Sequence, residues 1–325
     1  MTMRRAMYRI SYQIYSIARK LLRSLIPSRA VRYALGPVFG RVVYRLSAER
    51  QAPLSIRGHH MYIADGQDYP PIDMTADKYE MATTRLLEKL LTPGMGVVDI
   101  GAHVGYYSLL AARAVGPTGR VYSFEPEPHN FALLLKNISL NGYTNIVARQ
   151  NAITDRCGQV DLFVSALDNG SHSLHHVGKP ERGNVRVDAV TLDFALAREG
   201  WPRIDLIKMD IEGSELKAVA GMRECLKRFA ALKLIVEMCP SILERAGVRA
   251  EELVETLRGF GLKFYVLLGG AVIPQEEVDL PALLGRLIRS GDYVNLLWIK
   301  GEGPVDNLPA GAEAAARATW RAAHG

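Results

Sequence analysis

The chain has 325 residues, 48% of them hydrophobic, a formal net charge of +6 and three cysteines. A chain of this size and composition buries a full core of its own. Cys157, Cys225 and Cys239 show neither metal-ligand nor disulfide-framework spacing and fit a reducing compartment, and the positive excess is confined to one segment with no RNA-binding module, so neither zinc nor nucleic acid is expected.

That basic segment is residues 1–50, which carry eleven Arg and Lys side chains and Glu49 as the sole acid. Ile10, Ile14, Ile17, Leu21 and Leu25 step by three or four and form one helical stripe, with Arg9, Arg19, Lys20 and Arg23 on the other side. Such a helix lies on an anionic membrane surface, packs on the main domain, or forms a dimer. Apolar runs are too short to span a bilayer and no small-residue cleavage site follows a signal-type core. The expected location is cytoplasmic, at most peripheral on the inner face of a membrane. Residues 51–79, punctuated by Pro53, Pro70 and Pro71, read as a linker or cap.

The main domain is expected over 80–300. A helix over 79–91 ends at Thr92-Pro93-Gly94. Strand 97–100, helix 105–115, strand 120–124, helix 128–140 and strand 146–150 then alternate, which implies parallel crossover units. Segments 160–164 and 185–190 read as an added hairpin around a polar loop. Later strands are expected at 204–209, 232–238, 263–268 and 293–299. Residues 301–325, rich in Ala, Gly and Pro, read as a loose tail.

The chemistry concentrates where the first strand ends. Val97 to Tyr107 reads Val-Val-Asp-Ile-Gly-Ala-His-Val-Gly-Tyr-Tyr, and Glu125 follows Gly105 by twenty residues at the end of the next strand. In an open parallel sheet, ligands lie outside the carboxyl ends of the strands, and an acid there accepts both hydroxyl hydrogens of a ribose. The string D-x-G-x-x-x-G lacks the G-x-G-x-x-G of a dinucleotide site, and Asp99 would repel a pyrophosphate while tolerating a cationic sulfonium. A nicotinamide oxidoreductase is therefore disfavoured.

The chain resembles the S-adenosylmethionine-dependent methyltransferases with a Rossmann-like fold, and among them the FkbM family. The resemblance is carried by Pro93-Gly94-Met95-Gly96, Asp99 to Tyr107, Phe124-Glu125-Pro126, Asn151 to Asp155, Ser171-His172-Ser173-Leu174, and Ile207 to Glu215 with its D-x-E-G-x-E string. It implies an α/β, doubly wound, mostly parallel seven-stranded sheet with its last strand reversed and helices on both faces.

It also implies a cofactor site built from Asp99, Gly101, Ala102, His103, Gly105, Tyr106, Glu125, Asn151, Ala152 and Asp210, with Glu125 on ribose, Asn151 and Ala152 flanking adenine, and Gly101 and Gly105 along the methionine and ribose region. His103 departs from the Asn often found in the family. Asp210 and Glu212 are expected to orient an acceptor hydroxyl or take its proton, unless they only cap the helix that starts near Ser214. His172 is a further candidate base. No full metal-ligand set is evident. The implied activity is methyl transfer to a hydroxyl of a sugar, glycolipid precursor or secondary metabolite. The rival is a noncatalytic cofactor-fold protein that binds a partner or membrane through its basic helix.

Overall fold

The computed structural model describes residues 53–63, 74, 79–166, 169–268 and 271–301. The expected N-terminal helix over 1–50 and the tail beyond 301 lie outside them. In chain order the elements are β1 (Leu54–Ile56), β2 (His59–Met61), α1 (Met81–Leu90), β3 (Gly96–Ile100), α2 (Tyr106–Val115), β4 (Arg120–Phe124), α3 (Pro128–Leu140), β5 (Ile146–Arg149), β6 (Ala152–Ile153), β7 (Gly158–Ser165) and β8 (Glu181–Val190). They continue with α4 (Leu192–Arg198), β9 (Leu206–Met209), α5 (Glu215–Ala220), α6 (Arg223–Arg228), β10 (Lys233–Met238), α7 (Pro240–Arg245), α8 (Ala250–Gly259), β11 (Leu262–Leu268), β12 (Ala271–Pro274), α9 (Leu280–Ser290) and β13 (Val294–Lys300).

The central sheet runs β12-β11-β13-β10-β9-β3-β4-β5. Strands β10, β9, β3, β4 and β5 are parallel, and β13 inserts antiparallel between β10 and β11. The reversed last strand matches the expectation. An eighth strand, β12, is added as a hairpin return from β11. The sequence around it is broken by Gly269-Gly270 before and Pro274 at its end, which read as turn rather than strand.

The sheet is buried on both faces, so its strands read as continuous apolar runs. Alternate residues serve opposite cores. Val98, Ile100, Ile207 and Met209 join one, while Val97, Val121, Leu206 and Ile235 join the other. That second face also carries Asp99 and Lys208, which sit opposite each other in the β3–β9 register. Polar side chains inside a dry sheet must find partners, and their placement defines the site below.

Strand order reverses between β3 and β9, because β4 and β5 extend one way and β10 the other. The carboxyl ends of β3 and β9 therefore flank the crevice where a ligand is expected. A second sheet, β6-β8-β7, holds the predicted hairpin and carries the loop 169–180 back toward that crevice. The segment expected as linker contains a hairpin instead, β1–β2, turned at Arg57 (φ 49°) and Gly58 (φ 81°). Asn137 of α3 ties it down, accepting from the Tyr62 amide at 2.7 Å and donating to the Tyr62 carbonyl at 2.8 Å.

Candidate active site

Each turn at the sheet edge has a local cause. After β3 the chain bends at Gly101 (φ 80°) and passes His103 (φ 53°), and α2 starts behind Gly105 (φ 96°). A Cβ on Gly101 would stand 2.0 Å from the Asp210 carbonyl oxygen, so only glycine lets β3 and β9 close on each other here. After β9, Glu212 takes φ 49° and Gly213 φ 100°. The buried Glu215 carboxylate holds this turn by accepting from the amides of Ile211 (3.3 Å) and Gly213 (3.2 Å), and burial pushes its pKa up to about 7.

The resulting cleft is lined by Gly101, Ala102, His103, Tyr106, Glu125, Asn151, Ala152, His172, Asp210 and Glu212 among the residues expected at the site. Two expected cofactor residues do not line it. Gly105 packs against Leu134 of α3, which a Cβ would approach to 2.7 Å, so its role is the helix start. Asp99 is buried beneath the turn, where it accepts from Ser108 Oγ at 2.6 Å, and burial raises its pKa.

Glu125 ends β4 with both oxygens oriented. Oε2 accepts from the His103 amide at 2.7 Å and Oε1 from the Glu127 amide at 3.0 Å. Burial outweighs these bonds and pushes its pKa up to about 7. Such a carboxylate is aimed, dry and short of donors, which suits a ribose diol. Asn130 and Asn169 present two further acceptors. Both line the cleft, Asn130 donates its amide to the Asn169 carbonyl at 2.7 Å, and each keeps a buried Oδ1 with no hydrogen-bond partner. These oxygens fit the amino groups of a nucleoside or amino acid. The cavity measures about 70 Å³, and its lining includes Met74, Asn169 and His172.

At the β9 side of the cleft, two strands from Glu125, lies a charged cluster. Carboxylate oxygens of Glu80, Asp210 and Glu237 all lie within 4.8 Å of one another. Their cation is Lys208, whose Nζ is 3.0 Å from Asp210 Oδ2. Burial disfavours the Lys208 charge, yet Asp210, Glu80, Asp99 and Glu237 raise its pKa above the ordinary value. Glu80 also accepts from the Tyr107 hydroxyl at 2.8 Å. Asp210 is thus a lysine-paired carboxylate in the cleft lining, and the N-cap position of α5 is Ser214. The sequence offered one signal for this cluster that was missed: a lysine inside the apolar run Leu206 to Met209 has to be paired.

Glu212 plays a different part from the one expected of it. Lys179 Nζ donates to both of its oxygens at 3.0 Å, and Ser173 Oγ donates to its carbonyl at 2.6 Å. It clamps the 169–180 loop to the β9 turn. His172 Nδ1 accepts from the Ser165 amide at 3.1 Å, which leaves Nε2 to carry the proton of the neutral ring. His172 lines the cleft, and the expected base role does not suit this tautomer.

The profile of the Methyltransferase FkbM domain matches residues 99–264, just over half the chain. The chain belongs to the FkbM methyltransferase family. Methyltransferase sdnD of Sordaria araneosa is 29% identical over 157 residues, 39% of this chain and 60% of that protein. FkbM of Streptomyces tacrolimicus, the 31-O-demethyl-FK506 methyltransferase, is 26% identical over 199 residues, 53% of this chain and 74% of that protein. The 2-O-methyltransferase NoeI of Sinorhizobium fredii is 27% identical over 157 residues, 44% of this chain and 62% of that protein. The chain thus spans less than two thirds of the length of sdnD and of NoeI. The cofactor of an FkbM methyltransferase is S-adenosylmethionine, and the acceptors of Glu125, Asn130 and Asn169 suit its diol and amino groups.

Proposed function

We propose that this FkbM-family chain transfers a methyl group from S-adenosylmethionine to a hydroxyl of a small acceptor: a sugar, a glycolipid precursor or a secondary metabolite. The observation that carries the reading is the pairing of two aimed carboxylates across one cleft, Glu125 at the end of β4 and Asp210 at the end of β9. The names of FkbM and NoeI, both specifying a methylated oxygen, support a hydroxyl acceptor.

When bound, S-adenosylmethionine supplies an electrophilic methyl. The chain's own residues then do the positioning, which is the largest contribution a methyl transfer needs. Glu125 fixes the ribose; Asn130 and Asn169 receive amino hydrogens; Lys208 holds Asp210 in one rotamer at the cleft. The Lys179–Glu212 pair keeps the loop bearing His172 against the sheet edge.

Among the described residues no helix is long and apolar enough to cross a membrane. A membrane or partner role for the basic segment 1–50 is part of the proposal and is tested by deletion below. The function itself is tested by calorimetric titration of the full chain with S-adenosylmethionine and with NAD. Micromolar binding of the former alone, about −8 kcal/mol, is the expected result. Binding of NAD alone overturns the reading.

A further inference from the structure

A second cavity opens on the far side of Glu212. It is a groove of 740 Å³ between the 171–180 loop, the β10–α7 junction and the end of α9, and its lining includes Glu212, Glu237, Ser241, Ile288, Arg289 and Tyr293. Glu212 lines both the groove and the cofactor cleft. Glu237 lines the groove, and its carboxylate lies within 4.8 Å of Asp210, which lines the cleft. The two cavities therefore meet at Asp210 and Glu237. Resting on the methyl-transfer reading above, we propose that this groove receives a saccharide acceptor and that Glu237 takes the proton of the hydroxyl being methylated.

Four acids crowd the junction, and their partners tell them apart. Asp210 is held by Lys208, Glu212 by Lys179, and Glu80 by the Tyr107 hydroxyl. Among the described residues Glu237 has neither a hydrogen bond nor an ion pair, so its lone pairs remain for an entering hydroxyl. It is the one acid of β10, opposite Asn295 of β13, and lines the groove. The groove's chemistry suits a saccharide: the Glu212 and Glu237 carboxylates, the Ser241 hydroxyl, two arginines, Arg245 and Arg289, and a Tyr293 ring left 49% exposed on which a sugar face stacks.

The step balances without another reactant. The acceptor oxygen bonds to the methyl carbon, the sulfur–methyl bond breaks and its electron pair stays on sulfur, and the hydroxyl proton moves to a Glu237 oxygen. Burial raises the Glu237 pKa well above the usual carboxylate range; Asp210, Glu80 and Glu212 add to this, and Lys208 opposes it. Once ionised, a carboxylate so raised is a stronger base, so the reaction it serves speeds up as pH rises. Tyr79, also buried beside the cluster, stays protonated.

The test uses the full chain, radiolabelled S-adenosylmethionine, and methyl glycosides of glucose, rhamnose, fucose and glucuronic acid as probes, with cofactor affinity measured separately. Glu237→Gln matches the neutral carboxyl in shape, and should bind the cofactor within about twofold of wild type while kcat falls at least about 100-fold. Its rate should also lose the rise with pH that wild type shows. Ile288→Trp narrows the groove away from the junction; it should raise the acceptor KM with kcat and cofactor affinity little changed. Glu237→Gln retaining kcat within threefold, Ile288→Trp leaving KM unchanged, or a cofactor-binding wild type that methylates none of the glycosides overturns this inference. A wild type that does not bind the cofactor overturns the methyl-transfer reading itself.

Discussion

Glu125 should make cofactor affinity depend on pH in a calculable way. Its pKa in the free protein is about 7, against an ordinary 4.5, because burial disfavours the charge. The ribose diol donates to the ionised carboxylate, so binding must first remove the proton. With a pKa near 7, the apparent affinity for S-adenosylhomocysteine, a stable probe, should fall about tenfold from pH 8 to pH 6, or about 1.4 kcal/mol. Folding runs the other way. A carboxyl whose pKa is raised on folding contributes most to stability at low pH, and loses that contribution as pH rises from 4.5 through 7, by about 3 kcal/mol at most. The same side chain thus opposes folding of the empty protein at neutral pH and favours the ligand. Calorimetry at pH 6, 7 and 8 on wild type and Glu125→Gln checks this. The glutamine variant binds more weakly throughout, since its NH₂ must face an amide N–H, but its affinity should be flat with pH. Glu215 also titrates near 7 yet is present in both proteins, so the difference isolates Glu125. Equal slopes in the two proteins would refute the reasoning.

Three further outcomes are expected. Gly101→Ala drives a Cβ into the Asp210 carbonyl at φ 80°, and should lower stability by about 3 kcal/mol, read from the urea midpoint, with cofactor binding lost as β3 and β9 separate. Lys208→Met leaves Glu80, Asp210 and Glu237 without their cation; it should be destabilised by about 3–5 kcal/mol, more at pH 8 than at pH 6, because the stranded carboxylates fold best when protonated. A smaller loss at pH 8 would mean that Lys208 does not neutralise the cluster. Deletion of residues 1–50 separates two roles for the basic segment: full turnover with loss of binding to anionic liposomes marks an anchor, whereas insoluble protein marks a packed helix.

The sequence by itself determined the alternation of strands and helices from β3 to β5, the family resemblance implied the reversed final strand, and the motifs at the strand ends lie close along the chain. Asp210 to Glu215 is a short turn held by residues within a few positions of one another, and the glycine string 101–105 with Glu125 was readable from its spacing along consecutive strands. Apolar runs flanked by helices mark the strands of the central sheet, and fail for the three-residue β1 and β2 and for β12, which the Gly269-Gly270 pair and Pro274 disguise as turn. The tertiary structure alone decided which polar groups meet. Glu80, Asp210 and Glu237 come together because the strand order reverses between β3 and β9, which sets the ends of β9 and β10 beside the start of α1. Likewise Lys179 reaches Glu212, and Asn130 reaches Asn169, across 33 and 39 residues of chain. Local pattern carries no record of such distant partners, because what selects them is the desolvation of charge inside the folded sheet.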